Sequence, residues 1–107
     1  MLWHKEILTA TVTAGTGAVN TIPLKGKIEQ MVVTALNGTV PQNVSWTLNV
    51  LDKEDDAVLQ ITHIGRLDDR TLLPVGKDVA EKYTFVFTAV AGTVTTMRTF
   101  MKVREVV

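Results

Sequence analysis

The sequence predicts an all-β protein, a single domain over residues 1–107 built as an antiparallel β-sandwich of the jelly-roll or immunoglobulin-like kind. Runs dense in β-branched, aromatic and threonine residues recur along the chain. Turn signals rich in Gly, Pro, Asn and Asp separate them every ~8–12 residues, the spacing of sandwiches and barrels. No stretch sustains the apolar period of a helix; the nearest is Lys77 to Lys82, which at that length reads as a loop. About seven or eight short strands fit this pattern, and the residues do not separate the sandwich topologies.

Taken in order, Lys5 to Ala14 has strand composition with imperfect alternation, and residues 1–6 read either as an N-terminal arm or as part of the sheet. Ala14-Gly-Thr-Gly-Ala18 is a turn; its Gly-x-Gly lacks the third glycine and the following helix of a phosphate loop. Val19 to Leu24 is a short extended piece, which Pro23 confines to an edge or a strand end. Ile28 to Leu36 is a strand, although its apolar residues fall on both faces. Asn37-Gly38 is a hairpin turn pair that Pro41-Gln-Asn43 lengthens into a loop of several residues. Val44 to Leu51 alternates cleanly, with Val44, Trp46, Leu48 and Val50 on one face against Ser45, Thr47 and Asn49 on the other, a half-buried strand with a core tryptophan. Asp52 to Asp56 is an acidic turn, and Ala57 to Ile64 a strand with Leu59 and Ile61 inward. Gly65 to Asp69 reads as a loop, Arg70 to Leu73 as a short strand stopped by Pro74, and Val75 to Lys82 as a polar connection.

Tyr83 to Val107 reads as a closing β-hairpin around Gly92. Side chains alternate along a strand, so Tyr83, Phe85 and Phe87 share one face. An odd loop of about three residues, with Gly92 left-handed in a bulge, sets these aromatics beside Met97, Met101 and Val103. Arg98, Phe100, Lys102 and Arg104 are then left on the outer face. Phe100 is the anomaly there, an aromatic among charges. With Trp3, which either anchors a partner or folds back on its own domain, these four make the candidate interface.

The charge balance excludes broad classes of partner. Eleven basic and eleven acidic residues give a formal net charge of zero, and no basic cluster exceeds the scattered cations of the last strand, so nucleic acid is not an expected partner. The chain has no cysteine, which removes disulfides and thiolate metal sites. The N-terminal residues go straight to charge and no apolar run approaches the ~20 residues of a membrane span, so synthesis in the cytoplasm is expected and no membrane partner. Asn37-Gly-Thr and Asn43-Val-Ser match the glycosylation pattern by coincidence on this reading.

Chemistry-bearing residues are sparse. Asp52, Glu54 and Asp56 have the spacing of the first ligands of a calcium loop, but Ala57 stands where the glycine belongs and no glutamate follows at the required distance. A solvated turn is the expectation. Ser45, the sole serine, lies within a strand and not on a nucleophile elbow, and His4 and His63 lack the spacing of a zinc helix. No catalytic residue, cofactor or metal is expected. Two stretches, Gln30 to Leu51 and Tyr83 to Met97, carry no charge, and their outer positions are Thr, Ser, Asn, Ala and Val. Such faces are either plain threonine-rich β surface or contacts between subunits.

The pattern resembles the small decoration, or cement, and minor structural proteins of tailed-bacteriophage heads. The residues that carry it are Thr9-Ala-Thr-Val-Thr-Ala-Gly-Thr-Gly17, Leu24-Lys-Gly-Lys-Ile-Glu-Gln-Met-Val-Val-Thr34, Trp46-Thr-Leu-Asn-Val-Leu-Asp52 and the closing Phe85 to Val107 segment. The resemblance implies a non-enzymatic virion protein, made in the host cytoplasm, that assembles as a trimer or larger homo-oligomer on the major capsid protein. A monomeric carbohydrate- or protein-binding sandwich, and a phage tail or neck component, share the same pattern.

Overall fold

The computed structural model describes residues 2–20, 26–64, 70–79 and 82–105, and at residues 2–4, 6, 20, 70–79 and 105 the description is of the backbone. The strands are β1 (Leu2–Thr13), β2 (Thr16–Asn20), β3 (Gly26–Asn37), β4 (Val40–Gln42), β5 (Trp46–Leu51), β6 (Ala57–His63), β7 (Arg70–Val79), β8 (Thr84–Thr88) and β9 (Thr96–Glu105). They form one antiparallel sheet in the order β4-β3-β9-β1-β2-β8-β5-β6, with β7 also on β3, curled into a half-barrel. One sheet forms where two were expected, because β1 is long enough to serve both halves. Its residues Leu2 to Thr11 pair with β9, and Val12 and Thr13 pair with β2. The segment considered as an arm is thus, from Leu2 onward, sheet.

Both halves turn apolar faces to a single core. Met31, Val33 and Ala35 of β3, Met97, Met101 and Val103 of β9, and Leu8 and Ala10 of β1 meet Trp46, Leu48 and Val50 of β5 and Phe85 and Phe87 of β8. Each fully buried large side chain contributes roughly 1.5–3 kcal/mol over its exposed state. The β5 alternation is as expected, and Leu59 and Ile61 of β6 pack against the rim of this core. Trp46 is core, stacked on His63 at 5.3 Å between ring centroids and edge-on to Phe87 at 5.7 Å.

The closing hairpin does not form. β8 pairs with β2 and β5, whereas β9 pairs with β1 and β3, so the two runs lie in different halves of the sheet. The segment between them is too firmly held elsewhere to act as a hairpin loop. Val90 N–H donates to Gly15 at 3.1 Å, Ala91 N–H to Ser45 at 3.0 Å and Thr95 N–H to Leu36 at 2.8 Å, while Val90 and Val94 are buried. Gly92 is left-handed as expected, with φ 71°, but within this crossing. The inward assignment of Tyr83, Phe85, Phe87, Met97, Met101 and Val103 nevertheless agrees with their burial, since both strands line the same core.

Further departures have local causes. The pairing of β3 shifts between Ile28 and Gln30 against both its neighbours, a bulge that leaves Glu29 unpaired and reverses the alternation. Ile28 and Met31 can therefore both face inward, which is why apolar residues occupy both parities of this strand. Asn37 pairs directly with Val40, so Gly38 and Thr39 make a tight turn in place of the longer loop. Pro74 does not stop its strand: β7 continues to Val79, and Pro74 is accommodated because, among the described residues, β7 pairs only with β3, beside the bulge. The expected loop at Gly65 to Asp69 lies outside the described residues, as do Thr21 to Leu24 of the expected extended piece.

The β1–β2 connection is a two-residue turn with Ala14 at φ 52° and Gly15 at φ 78°, the pair of positive values typical of a type I′ hairpin. Just beyond it, a Cβ placed on Gly17 would lie 2.8 Å from the Thr11 carbonyl oxygen, closer than real Cβ contacts come. Gly17→Ala should therefore destabilise the protein by about 1–3 kcal/mol, measured by urea unfolding. Thr99 offers the opposite case. Its side chain is fully buried on the core face and its Oγ1 has no hydrogen-bond partner. Thr99→Val should remove that cost and raise stability by about 1 kcal/mol, an increase of ~4–8 °C in thermal midpoint.

Candidate functional site

The outer face of β1–β9–β3 is where the expected interface residues fall. β9 lies between β1 and β3, so each of its outward side chains has a neighbour on either side. Phe100 registers with Ile7 of β1 and Val32 of β3, forming an apolar row across three strands. Ile7 is 58% exposed, and Phe100 and Val32 are half-buried. Lys102 registers with Lys5 and Gln30 on one side of this row, and Arg98 with Thr9 and Thr34 on the other. A depression of about 300 Å³ opens here, lined by Lys5, Gln30, Val32, Phe100, Met101 and Lys102.

The cations are not equivalent. The Arg98 guanidinium lies 5.6 Å from the centroid of the Phe100 ring, a cation–π contact that holds both side chains on the surface. The Arg104 Nη2 lies 2.7 Å from Glu29 Oε1, so the bulge residue of β3 offsets this charge. Lys5, Arg98 and Lys102 are exposed around the apolar row. Trp3 registers opposite Arg104 at the end of β1.

The structure thus brings Arg98, Phe100, Lys102 and Arg104 onto one face and adds Ile7, Val32, Lys5 and Glu29, which the sequence reading did not single out. Signals for two of these were present. The imperfect alternation of the first strand places Ile7 outside once Leu8 and Ala10 go in, and the apolar residues on both faces of β3 include Val32.

The acidic turn and His63 do not join this face. Asp52 Oδ1 accepts from the backbone N–H of Glu54 at 2.9 Å and of Asp56 at 3.0 Å, so it shapes its own turn. Asp55 is left-handed there, with φ 63°. That turn closes one end of the β5–β6 hairpin, whereas His63 pairs with Trp46 at the other, roughly 17 Å away at ~3.4 Å per residue. Among the described residues no three His, Asp or Glu side chains are grouped as a metal site requires, and no helix is long and apolar enough to cross a membrane.

No family model matches the chain, and no curated protein matches it. Among solved structures, the crystal structure of FLHE is similar over 96% of this chain and 95% of that one, at 11% identity and a TM-score of 0.47. A likeness at that level carries no inference about what the chain does.

The layout of the face gives a direct expectation for its residues. Ile7→Asp, at the exposed end of the row, should change unfolding free energy by less than about 1 kcal/mol. Phe100→Asp loses the contact with Arg98 and should cost about 1–2 kcal/mol while retaining the full β circular-dichroism spectrum. Global unfolding of the Phe100 variant would mean that this ring is part of the core.

Proposed function

We propose that the protein is a non-enzymatic structural component of a tailed-bacteriophage virion that docks on shell subunits through the outer face of β1–β9–β3. The supporting observation is the apolar row Ile7–Phe100–Val32 with Lys5, Arg98 and Lys102 around it. An exposed isoleucine beside a half-buried aromatic loses free energy in water and gains it against another apolar surface. The bordering cations suit a partner whose contact is edged with carboxylates, and they orient that partner more than they add to affinity.

The choice of partner, the major capsid protein, comes from the resemblance in sequence pattern, as does assembly into a homo-oligomer on the head. In this reading the protein performs no reaction; its work is to bridge neighbouring subunits and hold the shell against expansion. The carbohydrate-binding alternative is disfavoured by Trp46, at 3% exposure, because a sugar-stacking ring must present a face to solvent.

Co-sedimentation with empty procapsids and mature heads tests the proposal. The wild-type chain should pellet with particles, and Ile7→Asp and Phe100→Asp should reduce the bound fraction about tenfold or more. Binding should also weaken as salt rises, through screening of Lys5, Arg98 and Lys102. A chain that never pellets with heads would exclude the shell role. Pelleting unaffected by both substitutions would move the docking surface elsewhere.

A further inference from the structure

We infer that the free edge of β6 is a self-association site, where a second copy of this chain adds its own β6 antiparallel about a two-fold axis at Gln60. Among the described residues β6 pairs with β5 alone and ends the sheet. Alternate residues of an edge strand direct N–H and C=O groups outward, which makes the edge a template for another strand wherever charge, proline, a bulge or a cover does not block it. The opposite edge carries such blocks. β4 contains Pro41, and β7 contains Arg70, Pro74, Lys77 and Asp78. The β6 edge has neither charge nor proline: Ala57 to Ile64 reads Ala-Val-Leu-Gln-Ile-Thr-His-Ile, and the bulge at Val58 leaves Leu59 to His63 in regular pairing with β5.

The occupant follows from the same residues. Residues directly opposite in an antiparallel pair share a face of the sheet. Centring the axis on Gln60, clear of the bulge at Val58, sets Leu59 of each copy beside Ile61 of the other. Both side chains are only partly buried at the rim of the core, packed there against β5. A second β6 would continue that apolar layer across the seam and complete their burial. On the outer face Gln60, which donates to Asn49 Oδ1 at 2.8 Å, would meet its own copy. No like charges are opposed along the whole strand, so the edge complements itself. The site lies on a different strand from the β1–β9–β3 face and does not depend on a shell partner.

Solution mass by sedimentation equilibrium on the full chain tests this. The wild type should form a dimer of twice the 11.7 kDa chain. Gln60 is exposed, so Gln60→Lys should leave the fold intact by circular dichroism while opposing two ammonium groups at the axis, raising the dimer Kd roughly tenfold or more. Mixing Gln60→Lys with Gln60→Glu should restore a dimer, which general destabilisation would not. The chain contains no cysteine, so Gln60→Cys adds a single thiol that should cross-link its copy under mild oxidation, while Lys53→Cys in the turn should not. A wild-type monomer, an oligomer indifferent to Gln60→Lys, or failure of both the mixed dimer and the cross-link would overturn the inference.

Discussion

The fold depends on one strand being shared. β1 gives most of its length to β9 and its last residues to β2, and these pairings join the two halves into a single hydrogen-bonded sheet. The Val12 N–H donates to the Thr95 carbonyl at 2.8 Å where the strand leaves one half for the other. Two consequences follow from that arrangement. The apolar faces of the halves are brought to one core by the backbone itself as well as by hydrophobic contact, and the outer face of β1–β9–β3 is laid out as a continuous surface with β9 in its middle. Every outward residue of β9 thereby acquires neighbours from both sides, and Phe100 becomes part of a row in place of an isolated aromatic.

Local character was legible and pairing was not. The alternation in Trp46 to Leu51 marked a half-buried strand with a core tryptophan, and the inward parity of Phe85, Phe87, Met97 and Met101 matches their burial. What the residues do not encode locally is which strand lies beside which. Two β runs with a glycine between them suggest a hairpin because neighbours in sequence usually pair, yet here the backbone donors of residues 90, 91 and 95 are taken by Gly15, Ser45 and Leu36. The inward faces are the same under either pairing, because a strand's inward face is set by its own pattern, whichever partner it has.

The bulge at Glu29 shows how a single extra residue can obscure a pattern that is otherwise simple. Read as a regular strand, Ile28 to Leu36 has no consistent face. Read with one residue unpaired, Ile28 belongs with Met31, Val33 and Ala35 in the core, and Val32 becomes the outer neighbour of Phe100. The same bulge places the Glu29 carboxylate beside Arg104, so a backbone irregularity sets the charge balance at one end of the candidate interface. In this way the part of the site hardest to read from sequence is also the part created by the departure from regular geometry.

The register of β1 with β9 has a meaning for how the chain reaches this state. Leu2 pairs with Glu105 and Thr11 with Thr96, so during synthesis β1 waits for a strand made much later. Until residues 96–105 have left the ribosome, β1 and β3 both lack the neighbour that lies between them, and their apolar side chains have no layer to complete. Contacts between residues so far apart in sequence carry a large loop-closure cost before they are rewarded, which makes folding slow for a chain of this size. Sheet closure then follows the emergence of β9, and the nascent chain passes through a stage in which β1 and β3 are present without the strand that joins them.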